Sequence, residues 1–476
     1  SNNVLQKAIR QALDACLGTL PDILPESVRT EYKLCGVQFA YETIHAPASR
    51  EARMQARTRL VFEEFFIFSA GLQMLRDARC DESAVPCDIS GADAFEAALP
   101  FRLTDAQQRA IRDVLRDMAS GRPMNRLVQG DVGSGKTMIA AAAAFCAAKN
   151  GLQTAFLVPT EILARQHFAS LRALMSCFSI ETVLLTGSMP AAEKRRVKEA
   201  IASGEAKLIL GTHALLSGDV AFQSLGLVIA DEQHRFGVGQ RAALAAKGRS
   251  PHLLVMSATP IPRTLALIAY GDLDISVVDE LPPGRQTIDT FLVGERLRQR
   301  VHAFLRRQCA EGGQAYIVCP AIEEGELESL KSAEVWAQTL QSAVFPDLRV
   351  GLLHGRMKGA EKDAVMSAFA RHELDILVST TVIEVGVDVP NANVMVIENA
   401  DRFGLSQLHQ LRGRVGRGER KSYCILFTSS QNEETLRRLK ALASTNDGFK
   451  IAEEDLKLRG PGDFFGSRQH GLPLFK

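Results

Sequence analysis

A single tryptophan, five tyrosines and a net charge of +1 are all that 476 residues carry of those features. With 56 basic residues against 55 acidic ones, overall charge says nothing for or against a polyanionic partner, so any such site is a local patch. The nine cysteines are odd in number, scattered, and never spaced as Cys-x-x-Cys. That excludes a disulfide scaffold or a zinc module and fits a reducing cytoplasm. The longest apolar run, Met138 to Ala148, is mostly alanine and falls far below the roughly 18 residues that cross a bilayer. Lys7 and Arg10 lead into no compact apolar core with a cleavage site, so no signal peptide is expected. The chain opens on Ser1, and the expectation is that it begins inside a longer protein.

What is present is enough chain for about three domains at roughly 150 residues each. Residues 1–98 read as a helical connector. Leu20-Pro21 and Leu24-Pro25 punctuate short segments, and Ser49 offers an N-cap with Glu51 in the first turn. No proline interrupts Arg50 to Arg79, which predicts a helix of about 45 Å, read as a brace lying on another domain, with a DNA-contacting arm as the alternative. Cys80 to Asp93 reads as a linker.

From residue 99 short β-rich runs alternate with helical segments: Leu127-Val128, Thr154 to Val158, Thr182 to Leu185, Lys207 to Leu210, Leu225 to Ala230 and His252 to Met256. Almost no polar residue alternates within them, as in parallel strands covered on both faces. Pro282-Pro283-Gly284 breaks the series, which restarts with Thr287 to Val293, Gln314 to Cys319, Val350 to Leu353, Asp375 to Val378, Val394 to Ile397 and Tyr423 to Phe427. The expected architecture is therefore α/β: a lobe over 99–283, a second over 284–440, and an appended tail over 441–476.

Gly130-Asp131-Val132-Gly133-Ser134-Gly135-Lys136-Thr137 has the spacing of a phosphate-binding P-loop between a strand and a helix. Its glycines let backbone N–H groups turn toward phosphate oxygens at a helix N-terminus, where the dipole favours anions. Lys136 supplies a mobile charge to the β- and γ-phosphates of ATP, and Thr137 a hydroxyl to Mg2+. Leu225 to Ala230 runs into Asp231-Glu232-Gln233-His234. An isolated Asp-Glu pair is an ordinary solvated turn; behind a P-loop, at the end of a buried strand, Asp231 becomes a candidate Mg2+ ligand through water. Glu232 then orients and deprotonates the attacking water. In the segment Gln410 to Arg417, Arg414 and Arg417 are expected nearly one helical turn apart on one face. So placed, they reach across a cleft to charge developing on a γ-phosphate; the alternative is a generic basic surface. His213, His354 and His409 read as packed or surface histidines, since no pair has metal-ligand spacing.

These segments, in this order, resemble superfamily 2 helicases, and within them the RecG family of DNA branch-migration helicases. Leu99 to Gln107, the P-loop, Pro159-Thr160-Glu161, Gly211-Thr212-His213, Asp231 to Arg241, Met256 to Leu265, Ser379 to Pro390, Gln407 to Gly418 and the tail Arg459 to Gln469 carry the resemblance. It implies two tandem RecA-like P-loop lobes that use ATP and Mg2+ to move on branched double-stranded DNA, at stalled forks and Holliday junctions, in recombination and repair. It further implies a monomer in the cytoplasm, off the membrane, with replication-fork proteins as partners. By position, Gln107 and Phe101 are expected at the adenine, Gly386 and Asp388 at the nucleotide cleft, and Gln410, Arg414 and Arg417 in the catalytic segment. Ser257 and Thr259, with His234, are expected to couple hydrolysis to DNA. Thr160, Gly187, Thr212 and Thr381 are expected on the phosphate backbone, and Arg459 and Gln469 in converting lobe motion to a pull.

The family's all-β wedge domain has no counterpart here, and a further C-terminal stretch is expected after Gly471-Leu472-Pro473. The chain therefore reads as the motor fragment of a larger enzyme. The motor of a transcription-repair coupling factor shares Thr259-Pro260-Ile261-Pro262-Arg263 and the tail motif, but the Asp-Glu-Gln-His sequence and the connector favour RecG. A DNA-clamping module with a silent ATP site is the non-enzyme alternative; the intact ATPase positions count against it.

Overall fold

The computed structural model describes residues 2–80, 83–231, 243–258, 273–282, 286–320, 326–380, 389–418 and 420–459. These form two compact units, residues 2–80 and residues 83–459. No described helix is long and apolar enough to cross a membrane.

The first unit is helical, with elements at Asn2–Cys16, Glu26–Glu31, Val37–His45 and Arg50–Cys80. Ser49 caps the last of these by accepting the Ala52 N–H at 3.0 Å, and the absence of proline lets the helix run on as expected. Arg59 is fully buried inside this unit. Its guanidinium is held between Asp22 and Glu63, each at 2.5 Å, because a buried charge persists only when paired.

The second unit contains two parallel sheets. Strands β1 (Asn125–Gly130), β2 (Gln153–Leu157), β3 (Thr182–Leu185), β4 (Leu208–Gly211), β5 (Leu225–Ala230), β6 (His252–Ser257) and β7 (Asp274–Val278) lie in the order β3-β4-β2-β5-β6-β1-β7. Strands β8 (Ile288–Val293), β9 (Gln314–Val318), β10 (Val350–Leu353), β11 (Ile376–Ser379), β12 (Ala392–Ile397) and β13 (Ser422–Phe427) lie in the order β10-β11-β9-β12-β13-β8. Every pairing is parallel. All twelve expected strands are present. β7 is an addition to the sequence reading: Asp274 and Ser276 interrupt its apolar residues, and as an edge strand it is only partly covered.

The helix Lys136–Lys149 explains its own alanines. Ile139 through Ala147 are all at most 5% exposed, so small side chains let the helix sit tightly between the sheet and its neighbours. Residues 83–98, expected as a linker and the end of the helical connector, belong to this unit. The Ala84 and Cys87 N–H groups donate to Gly121 and Met118 carbonyls, and Phe95 packs on Phe145 with ring centres 5.4 Å apart. The helix Glu433–Ser444, capped by Asn432, closes over the second sheet, and the helix Gly448–Arg459 follows it.

Candidate nucleotide site

The order of the first sheet decides what meets at its C-terminal edge. β5, β6 and β1 are neighbours, with Ala230 opposite Val255 and Gln129 opposite Ser257. Asp231, Ser257 and the P-loop therefore emerge side by side, where open parallel sheets bind ligands. On the other flank β2, β4 and β3 deliver Thr160, Thr212 and Gly187 to the same edge. Thr160 caps the helix Glu161–Ser176 by accepting the Leu163 N–H at 3.4 Å, and Thr212 is 7% exposed. The Gly187 carbonyl accepts from Lys194 Nζ at 2.6 Å.

Gly135 sits at φ +82°, a conformation glycine adopts without penalty. A Cβ there would come within 2.1 Å of Gln107 Nε2. Gln107 accounts for that crowding. Its Oε1 accepts the Thr104 N–H at 2.9 Å, its own N–H donates to Thr104 Oγ1 at 3.2 Å, and its Nε2 donates to the Ser134 carbonyl at 2.8 Å. The residue expected at the adenine thus ties the helix Asp105–Ala119 to the P-loop, while Phe101 is half exposed. Lys136 is buried, and its ammonium donates to the Gly130 and Asp131 carbonyls, both at 2.8 Å. Asp231 Oδ2 lies 3.2 Å from His167 Nε2.

The second lobe brings the segment that carries its arginines to this loop, but the arginines do not lie on a helix. The helix Leu405–Arg412 ends at Gly413, so Arg414 and Arg417 lie beyond it, with Gly416 turning the chain at φ +81°. The expected one-turn spacing on a helix face is corrected accordingly. Gln410 and Arg414 are buried. Gly413 is seated on Val132 of the P-loop, where a Cβ would come 2.8 Å from Val132 Cβ. His409 Nε2 lies 2.6 Å from Asp131 Oδ1, a contact the sequence reading of His409 as a packed or surface residue missed. No local motif marks it, because its partner is far away in the chain.

Glu232, His234, Thr259, Thr381, Gly386, Asp388 and Gln469 lie outside the described residues, as does the side chain of Arg459. Gly133 and Thr137 occupy their expected places in the loop and at the helix start.

Three family descriptions match in succession: DEAD/DEAH box helicase over 104–268, helicase conserved C-terminal domain over 297–419, and ATP-dependent DNA helicase RecG, domain 3, C-terminal, over 445–475. An ATP-dependent DNA helicase RecG of Synechocystis sp. is 50% identical over 98% of this chain and 57% of its own length. The Bacillus subtilis protein of the same name is 47% identical over 99% of this chain and 70% of its own length. A solved structure described as RecG bound to a three-way DNA junction superposes with a TM-score of 0.82 at 47% identity, over 100% of this chain and 63% of that one. The chain thus spans about three fifths of the length of several relatives it matches.

Proposed function

The chain belongs to the RecG family of ATP-dependent DNA helicases, and on that premise we propose that it is the ATP-driven motor of a helicase that pulls on branched double-stranded DNA, at stalled forks and Holliday junctions. The solved RecG on a three-way junction supports this substrate class. The observation that carries the reading is the seating of the arginine-bearing segment of one lobe on the P-loop of the other, Gly413 on Val132. On this reading one triphosphate pocket is shared between both halves.

ATP is the substrate of this pocket. Lys136, now bonded to two neutral carbonyls of its own loop, exchanges them for phosphate oxygens, which form stronger charge-assisted bonds. Mg2+ suits the donor set, a hydroxyl at Thr137 and a part-buried carboxylate at Asp231, which would hold it; bound there, it would neutralise negative charge on the triphosphate. Glu232 orients the attacking water, and Arg414 and Arg417 meet the charge that develops on the γ-phosphate. Thr160, Gly187 and Thr212 on the sheet edge, with Thr381, grip the DNA backbone through hydroxyls and N–H groups, which hold phosphates without reading bases. Ser257, Thr259 and His234 couple the two, and Arg459 and Gln469 turn lobe movement into traction. We read the protein as a cytoplasmic monomer working with replication-fork proteins.

The test is phosphate release by the full-length protein with fork, Holliday junction, duplex and single strand. Branched DNA is expected to stimulate most. Lys136→Ala is expected to lose turnover while keeping salt-sensitive DNA binding. Wild-type hydrolysis in that variant would falsify the P-loop assignment.

A further inference from the structure

An unbroken series of hydrogen bonds ties the second lobe to the P-loop. His409 Nδ1 lies 2.9 Å from Arg412 Nη2, and His409 Nε2 lies 2.6 Å from Asp131 Oδ1. A guanidinium only donates, so Nδ1 is the acceptor. Nε2 therefore carries the hydrogen, and the bond to Asp131 runs from the second lobe to the first.

Arg412 is 2% exposed and is itself anchored, because Nη1 donates to the Leu442 carbonyl at 2.7 Å and the Thr445 carbonyl at 2.8 Å. These carbonyls lie at and just beyond the end of the helix Glu433–Ser444, which packs on the second sheet. Burial draws the Arg412 pKa below the ordinary guanidinium value, and the negative charge of Asp131 acts the other way. On the far side, Asp131 Oδ1 also accepts the Val132 N–H at 2.6 Å, and the Asp131 carbonyl accepts from Lys136 at 2.8 Å. The path thus runs from a packed helix through Arg412, His409 and Asp131 to the loop that carries Lys136. His409 precedes Arg414 by little more than a helical turn, and Gly413 between them rests on Val132.

We propose that His409, braced by Arg412, is a positioning residue whose hydrogen bond to Asp131 fixes the arginine-bearing segment over the P-loop each time the lobes close. The idea rests on the ATPase reading above and adds to it a residue that touches neither phosphate nor DNA. Its contribution is orientation. A misplacement of about 1 Å at reacting groups costs on the order of 10²-fold in rate, so the effect falls on kcat and leaves KM for ATP little changed.

The experiment is DNA-stimulated ATP hydrolysis by the full-length protein and by His409→Ala, His409→Gln, Asp131→Ala and the His409→Ala/Asp131→Ala double variant, with thermal unfolding of each. His409→Ala is expected to lower kcat by about 10- to 100-fold, with KM for ATP within about threefold. His409→Gln, whose side-chain amide donates from the Nε2 position, is expected to recover most of that loss. The double variant is expected to be no worse than Asp131→Ala, as for two residues that act through one bond. Three results overturn the proposal: wild-type kcat in His409→Ala, a Gln variant as poor as Ala, or a loss equal to the fall in folded protein. If the wild type hydrolyses no ATP, the ATPase reading falls and takes this inference with it. If it hydrolyses normally and His409→Ala is indifferent, only this inference falls.

Discussion

Strand for strand, the second lobe repeats the first: β10-β11-β9-β12-β13-β8 matches β3-β4-β2-β5-β6-β1 in both spatial and chain order. The two differ at the edge where the strands end. β1 leads into the P-loop, and Asp231 directly follows β5. At the matching places β8 leads into Gly294 and Arg298, and Glu398 directly follows β12. Arg298 grips Glu398 with two parallel hydrogen bonds of 2.8 and 2.9 Å and lies 4.2 Å from the centre of the Phe427 ring. These bonds push the Arg298 pKa above the ordinary guanidinium value, against the pull of burial. Where the first lobe presents a glycine-rich loop, the second has filled the place with its own anion and cation. The sheet supplies an edge; the loop that leaves it decides whether that edge is a site.

The largest effects that sharpen this contrast are kinetic. Arg414→Ala or Arg417→Ala is expected to reduce ATP turnover by about 10³- to 10⁵-fold, as for arginines meeting a transferring phosphoryl group, with nucleotide still bound. Lys136→Ala, in the other half of the pocket, is expected to cost at least about 10²- to 10³-fold. Steady-state phosphate release with fork DNA reads both. If the arginine variants turned over normally, the second lobe would be a scaffold and the contrast between filled and open edges would lose its meaning.

Breaking the internal pair comes next. Arg298→Ala leaves the Glu398 carboxylate, 9% exposed, without its main partner, and is expected to destabilise the lobe by about 3–5 kcal/mol in urea unfolding. Arg298→Met with Glu398→Leu removes both charges and is expected to regain most of that loss. Turnover per folded molecule should barely move, unlike the effect of Lys136→Ala.

The candidate site of the first lobe could be placed from the sequence because it is local. A P-loop is consecutive residues, and Asp231 directly follows an uninterrupted apolar strand, so both could be proposed as candidates from the sequence, the second on the strength of the first. The buried strands were legible for the same reason. β7 was not, because Asp274 and Ser276 give an edge strand the look of a loop. The turn that carries Arg414 and Arg417 was misread as helix because Arg and Leu are good helix formers, whereas Gly413 and Gly416 govern the local backbone. His409 was illegible in principle: its partner Asp131 is brought to it only by the meeting of two lobes.

A subtler repeat tests how deep the likeness goes. Gln153 opens β2 and Gln314 opens β9, both fully buried. Gln153 Nε2 donates to the Ile201 and Ala206 carbonyls, both at 2.9 Å; Gln314 Nε2 donates to Phe369 at 2.7 Å and Leu374 at 2.6 Å. Each ties the end of a helix to the start of the next strand. Replacing either with leucine strands two buried carbonyls, at an expected cost of about 1–3 kcal/mol, similar in both lobes. Unequal costs, measured by urea midpoints, would show that the repeat is geometric but not energetic.

The smallest effect concerns the turns those glutamines hold. After the helix Ala191–Ala202 the chain passes through Gly204 at φ +75°; after the helix Gly359–Ala370 it passes through His372 at φ +61°. The same left-handed turn is built once with glycine and once without. Gly204→Ala places a Cβ 1.7 Å from Gln223 Oε1, the far end of a flexible side chain, so the cost is mostly the backbone's, about 1–2 kcal/mol. His372→Gly works in reverse. It removes that backbone penalty, gives back about 0.5–1 kcal/mol in the entropy glycine loses on folding, and gives up a weak contact at 3.7 Å with Asp375. Asp375 keeps its principal partner Arg349, which holds its carboxyl below the ordinary value, so the turn itself survives. The net change for His372→Gly is expected to be a gain of less than about 1 kcal/mol, against a clear loss for Gly204→Ala. Thermal unfolding of the two single variants resolves the signs, and a loss in both would mean that His372 holds the turn by a contact stronger than the one seen here.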